Sequence, residues 1–259
     1  MFSLSLSSCA HVNSSPNQTF RIIRVDRTQA LITIHYPAEK EHDAAIISNL
    51  IREALHDVNR WGTLQMLLTI TLHGNHKELE KAVGVRDYGW LRAWATYDTI
   101  DIQTPGTWGG GRLEERIKKV LTHELTHTIM YQAIGTKDTW ASIYIPIWFR
   151  EGMASTTARQ GNWRFSRNEL NQRFLSNAPS INLFSNPKTL LQTEARLIYS
   201  ASHWLFTDLI ARYGEDSVRN LLKEIRNRKD FRQAWNAIFK LSEEHYLSLW
   251  QKELIIPRG

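Results

Sequence analysis

The pentapeptide His123-Glu124-Leu125-Thr126-His127 places two imidazoles four residues apart with a carboxylate between them. The spacing matters because the surrounding residues, about 112–132, read as one helix. At roughly 100° per residue, positions four apart lie one turn above each other on the same face. Both rings can then reach a single ion. Leu113, Ile117 and Val120 define the expected buried face; Glu124 and His127 continue it, and His123 lies at its edge. Two imidazoles and a carboxylate facing inward would cost several kcal/mol if left unpaired, and a bound cation removes that cost. The alternative is a solvated helix with incidental histidines.

Imidazole pairs suit zinc, and a catalytic zinc site takes three protein ligands and keeps a position for water. The third ligand is sought in Trp148-Phe149-Arg150-Glu151-Gly152-Met153-Ala154, where Glu151 comes early in a helix expected from Pro146 through Ala158. The small residues after it let that helix approach a neighbour closely. The rival reading of Glu151 is a surface ion pair with a nearby arginine.

Outward from these two segments, the chain divides by pattern. Phe20–Val25 and residues 31–36 read as strands around the turn 26–29. Residues 41–60 form an amphipathic helix, with Ile47, Leu50, Ile51, Ala54, Leu55 and Val58 at helical spacing. Met66, Leu68, Ile70 and Leu72 alternate with Leu67, Thr69, Thr71 and His73, the period of a half-buried strand. A short helix at 77–83 and strands at 91–97 and 99–103 follow, and Pro105 to Gly111 breaks the pattern. Helices are expected near 167–176, 194–213, 215–228, 230–240 and 242–254, with Gly214 at a C-cap and Ser242 opening the last. Strands followed by helices predict an α+β fold.

These segments together resemble the peptidase MA-like gluzincins, whose wider clan includes thermolysin. The resemblance is carried by H-E-L-T-H at 123–127 and P-x-W-x-x-E-G-x-A at 146–154. It is extended by Leu197-Ile198-Tyr199-Ser200-Ala201 through Arg212-Tyr213-Gly214-Glu215 and by Phe231-Arg232-Gln233-Ala234 with Trp250. It implies a zincin-like catalytic domain over 20–259, a sheet-bearing part (about 20–134) and a helical part (about 135–259) flanking a zinc cleft. It implies that His123, His127 and Glu151 bind Zn2+, that Glu124 is general base and then proton donor, and that Tyr199 stabilises the oxyanion. His203, one turn further on, would assist; the bland alternatives are a core tyrosine and a helix-surface histidine. Two features depart from the thermolysin pattern. The gap between His127 and Glu151 is longer, with room for an insertion at 135–145, and Ser155 stands where an aspartate would orient a zinc histidine. An edge strand, Thr99–Gln103 or the segment before it, would pair with an extended peptide.

Composition narrows the remaining classes. The chain has 259 residues, 42% of them hydrophobic, with 32 basic against 26 acidic residues. The basic residues are spread along helices and mixed with acids, so a nucleic-acid partner is not expected. No run of about 18 apolar residues is present to span a membrane. Cys9 is the single cysteine, so no internal disulfide forms. Met1 to Ser8 followed by Cys9 and a polar run to Thr19 looks like the end of a bacterial lipoprotein signal and its tether, which would put the protein in the cell envelope on a lipid anchor at Cys9. A frayed cytoplasmic N-terminus is the alternative. The expected function is zinc-dependent hydrolysis of peptide bonds, with a peptide or protein substrate. The rivals are amide cleavage in peptidoglycan peptide and a catalytically silent zincin scaffold.

Overall fold

The computed structural model describes residues 20–25, 32–177 and 193–255. The chain divides into two compact units, Met1–Ser142 and Ile143–Gly259. Together their elements make an α+β protein. The segment around Cys9 and the turn at 26–29 lie outside the described residues. Among the described residues no helix is long and apolar enough to cross a membrane.

The first unit is built on a five-stranded mixed sheet, ordered β1 (Phe20–Val25), β2 (Ile32–Pro37), β3 (Leu68–His73), β5 (Thr99–Gln103), β4 (Ala93–Ala95). β2, β3 and β5 run parallel; β1 and β4 are antiparallel to their neighbours. Parallel neighbours need a crossover, and α1 (Glu41–Val58) and α2 (His76–Val83) supply it. Strict alternation puts Ile32, Ile34, Leu68, Ile70, Leu72, Ile100 and Ile102 in the core while Thr33, Thr69, Thr71 and Asp101 occupy the intervening positions. β5 is interior, and β4, the segment before it, is one edge of the sheet, with β1 at the other. Sequence alternation runs past the true ends: Met66 and Leu67 precede β3 and are exposed, and β4 is only three residues long.

α3 (Leu113–Ile134) packs against α1. Its apolar stripe is Ile117, Leu121, Leu125 and Ile129, all essentially inaccessible to solvent. This corrects the face expected from sequence, because Leu113 and Val120 are only half-buried. From Leu121 to Gln132 every residue is buried, so both sides of the helix are covered there and a one-sided pattern cannot locate the core. Several of the polar residues this buries are hydrogen-bonded to backbone carbonyls. Thr126 Oγ1 donates to the Thr122 carbonyl at 2.7 Å, Thr128 Oγ1 to the Thr96 carbonyl at 3.1 Å and Gln132 Nε2 to the Tyr97 carbonyl at 2.7 Å. The last two bonds tie the helix to the β4–β5 turn.

The second unit is helical: α4 (Ile147–Thr157), α5 (Arg167–Asn177), α6 (Ala195–Arg228), α7 (Phe231–Phe239) and α8 (Glu243–Ile255). α6 contains a break at Gly214, whose φ of 75° and ψ of 164° leave the helical region; this is where sequence separates two helices. α4 lies along α6. Trp148 anchors it: the ring is fully buried against Trp235, Phe149 and Tyr246, and Nε1 donates to Glu243 Oε1 at 2.7 Å. Burial pushes the Glu243 carboxyl up, and the Trp148 hydrogen bond partly offsets this.

Gly152 sets how closely α4 and α6 approach. A β-carbon there would sit 2.3 Å from the Ser202 carbonyl oxygen and 2.6 Å from Phe206 Cβ, and backbone cannot yield as a flexible side chain can. Gly152→Ala gains helix propensity yet overpacks this contact, so a net loss of about 1–3 kcal/mol is expected. Chemical denaturation of the variant checks this; unchanged or raised stability would mean that the two helices separate freely.

Candidate metal and catalytic site

The site begins on α3. His123 and His127 are both buried, their Nε2 atoms are 3.1 Å apart, and the rings stand nearly perpendicular at 86°. One turn later, Tyr131 lies almost parallel to the His127 ring, 14° between planes with centroids 6.1 Å apart. Trp140 in turn rests against Tyr131 at 4.4 Å. This aromatic backing restricts how the His127 ring can turn. Glu124, between the histidines, is buried as well.

Glu151 is the fifth residue of α4 and is 5% exposed. Arg150 Nε donates to its Oε1 at 3.0 Å. The arginine partner foreseen as a surface alternative therefore exists, but the carboxylate it holds is interior. One donor atom from each of His123, His127 and Glu151 falls within 4.8 Å of the others, and all three residues are buried. Two imidazole nitrogens and one carboxylate oxygen are the donor set of a catalytic zinc site, three protein ligands with room for water. The residues present fit that ion.

Tyr199 and His203 lie one turn apart on α6. Tyr199 is half-buried, with the Arg164 guanidinium 5.0 Å from its ring centroid. His203 is buried rather than on the helix surface. Its Nδ1 is 3.1 Å from Ser155 Oγ. Ser155 is thus shared between His203 and Arg164, whose Nε donates to it at 3.1 Å. Burial pushes the His203 imidazole down to about 4, with the Arg164 charge adding to the effect. The ring is therefore neutral near pH 7.

Arg164, Tyr131 and the Ser155–His203 pair were not identified from sequence. An arginine in a turn or a tyrosine on a helix has no distinguishing spacing, and Ser155 and His203 are 48 residues apart.

No known family's sequence profile matches the chain, and no curated protein matches it. Among solved structures it is similar to an M1 zinc metallopeptidase from Deinococcus radiodurans, at 12% identity over 93% of this chain and 53% of that one, with a TM-score of 0.47. It is similar also to an aminopeptidase N family protein from Idiomarina loihiensis, at 11% identity over 88% of this chain and 46% of that one, TM-score 0.47. The chain spans about half the length of these two proteins.

The state of His203 has a consequence for stability. Its folded value lies below that of an unfolded histidine, about 6.5, so the unfolded chain binds the extra proton. The contribution is fully present above pH 6.5 and is lost as the pH falls toward 4, amounting to about 3 kcal/mol over the whole window. With metal chelated, the denaturation midpoint of the wild type should fall more steeply between pH 7 and 4.5 than that of His203→Gln. Parallel slopes would contradict a buried, neutral His203.

Proposed function

We propose that the protein is a zinc-dependent peptidase of the zincin type. The observation that carries this reading is the buried grouping of His123, His127 and Glu151 donor atoms, beside an acid, Glu124, that the grouping itself does not require. A purely structural site has no use for that fourth group. His123, His127 and Glu151 hold the ion. When bound, zinc supplies Lewis acidity, lowering the pKa of water toward 7 and polarising a carbonyl oxygen.

The chain's own groups do the rest. Glu124 accepts the proton of the attacking water and later delivers it to the departing amine, so that one carboxylate serves as base and then as acid. Its burial strengthens both transfers by excluding competing solvent. Tyr199 donates its phenolic proton in a hydrogen bond to the developing oxyanion. The Arg164 guanidinium, 5.0 Å from its ring centroid, helps hold the ring in place. His203, neutral and bonded to Ser155, supports Arg164 and the α4–α6 contact. Edge strand β4 offers backbone groups to an extended peptide by strand addition.

Turnover of a peptide library and of peptidoglycan peptides, compared between wild type and Glu124→Gln, tests this reading. Cleavage of library peptides that Glu124→Gln lowers by at least about 10³-fold, with metal retained, is expected; general acid–base catalysis contributes up to 10⁴. Tyr199→Phe should lower kcat by about 10²–10³ with little change in KM. Cleavage confined to peptidoglycan would redefine the substrate. Equal, negligible turnover by both proteins on every substrate would point to a scaffold.

A further inference from the structure

We propose that Arg164 is an anion-recognition residue and that the preferred substrates carry a carboxylate next to the bond that is cut. This rests on the peptidase reading and specifies its substrate class.

Arg164 follows α4 and directly succeeds the short 3-10 turn Gly161–Trp163. Among the described residues, the groups that hold its guanidinium are neutral. Nε donates to Ser155 Oγ at 3.1 Å, Nη2 donates to Gln160 Oε1 at 2.7 Å, and the Tyr199 ring lies against one face. Ser155 and Gln160 are both buried, so the fork is held in place rather than waving in solvent. Arginine has five N–H donors. Two are used here, and the remaining three, on the Nη1/Nη2 edge, meet no protein acceptor among the described residues.

Nearby arginines are treated differently. Arg150 is paired with Glu151, and Arg167 with Asp208. Arg164 forms no ion pair with any carboxylate among the described residues. The charges felt there are the Glu151 carboxylate, which is itself paired with Arg150, and, less strongly, Arg196, of like sign. The segment 178–192, outside the described residues, contains Lys188 and no acidic residue. A half-buried guanidinium, orientationally fixed and without an ion pair among the described residues, gains from a ligand that supplies the anion. A planar fork matches a carboxylate bidentately. Glu151 and Tyr199 both lie within electrostatic range of Arg164, which puts the recognised carboxylate close to the proposed reacting carbonyl. That carboxylate has two sources, a free peptide C-terminus or an Asp or Glu side chain.

Two matched peptide pairs separate them: one with a free against an amidated C-terminus, the other with internal Glu against Gln. Binding to zinc-loaded Glu124→Gln protein is measured by calorimetry, so the result does not depend on turnover. We expect the carboxylate member of one pair to bind at least about tenfold tighter, a ratio that Arg164→Met brings close to one and Arg164→Lys restores in part. The pair that shows the ratio names the source. Equal affinities within both pairs, or a preference that survives Arg164→Met in protein of unchanged melting temperature, would overturn the proposal. Absence of Glu124-dependent hydrolysis by the wild type would sink the peptidase reading alone, since the binding ratio is read separately.

Discussion

Three Lewis bases held within 4.8 Å of one another, and hidden from water, define this protein. Imidazoles and a carboxylate in that setting lose hydration and are stabilised when a divalent cation is shared among them. Much else in the chain serves to keep those groups in place. On α3 the stripe Ile117, Leu121, Leu125 and Ile129 fixes the helix rotation, so that His123 and His127 turn the same way. The hydrogen bonds of Thr128 and Gln132 to the β4–β5 turn lock its position along the sheet. On α4, Gly152 fixes the distance to α6 and Trp148 fixes the rotation, one on each side of Glu151.

The surroundings of Glu151 divide into two electrostatic jobs. Arg150 meets the carboxylate directly. Arg164 does not, and is held instead by Ser155, Gln160 and the Tyr199 ring. Ser155, four residues after Glu151, is an uncharged acceptor for Arg164, which has no ion pair with a carboxylate among the described residues.

The fold was legible where period and chemistry agreed. Leu68, Ile70 and Leu72 alternate and form a strand; Ile47, Ile51, Ala54, Leu55 and Val58 recur at helical spacing and are buried on α1. The i, i+4 histidines could be paired on paper because helix geometry alone brings them together. Glu151 stands out in sequence by the small residues behind it, and its carboxylate lies close to the two imidazoles. Two kinds of feature stayed hidden. Leu113 and Val120 were assigned to a buried face, yet the helix is covered on several sides only after Leu121, and periodicity fails where burial is not one-sided. Arg164, Tyr131 and the Ser155–His203 contact depend on segments far apart in sequence, and no local pattern encodes them.

X-ray absorption at the zinc edge, on protein loaded with one equivalent of metal, interrogates the central claim most directly. The account predicts two imidazole nitrogens at about 2.0–2.1 Å with light oxygen donors completing a four-coordinate shell. In Glu151→Ala the imidazole signature should persist while affinity drops. A shell of oxygens alone, or zinc bound equally well by a His123→Ala/His127→Ala double variant, would contradict it.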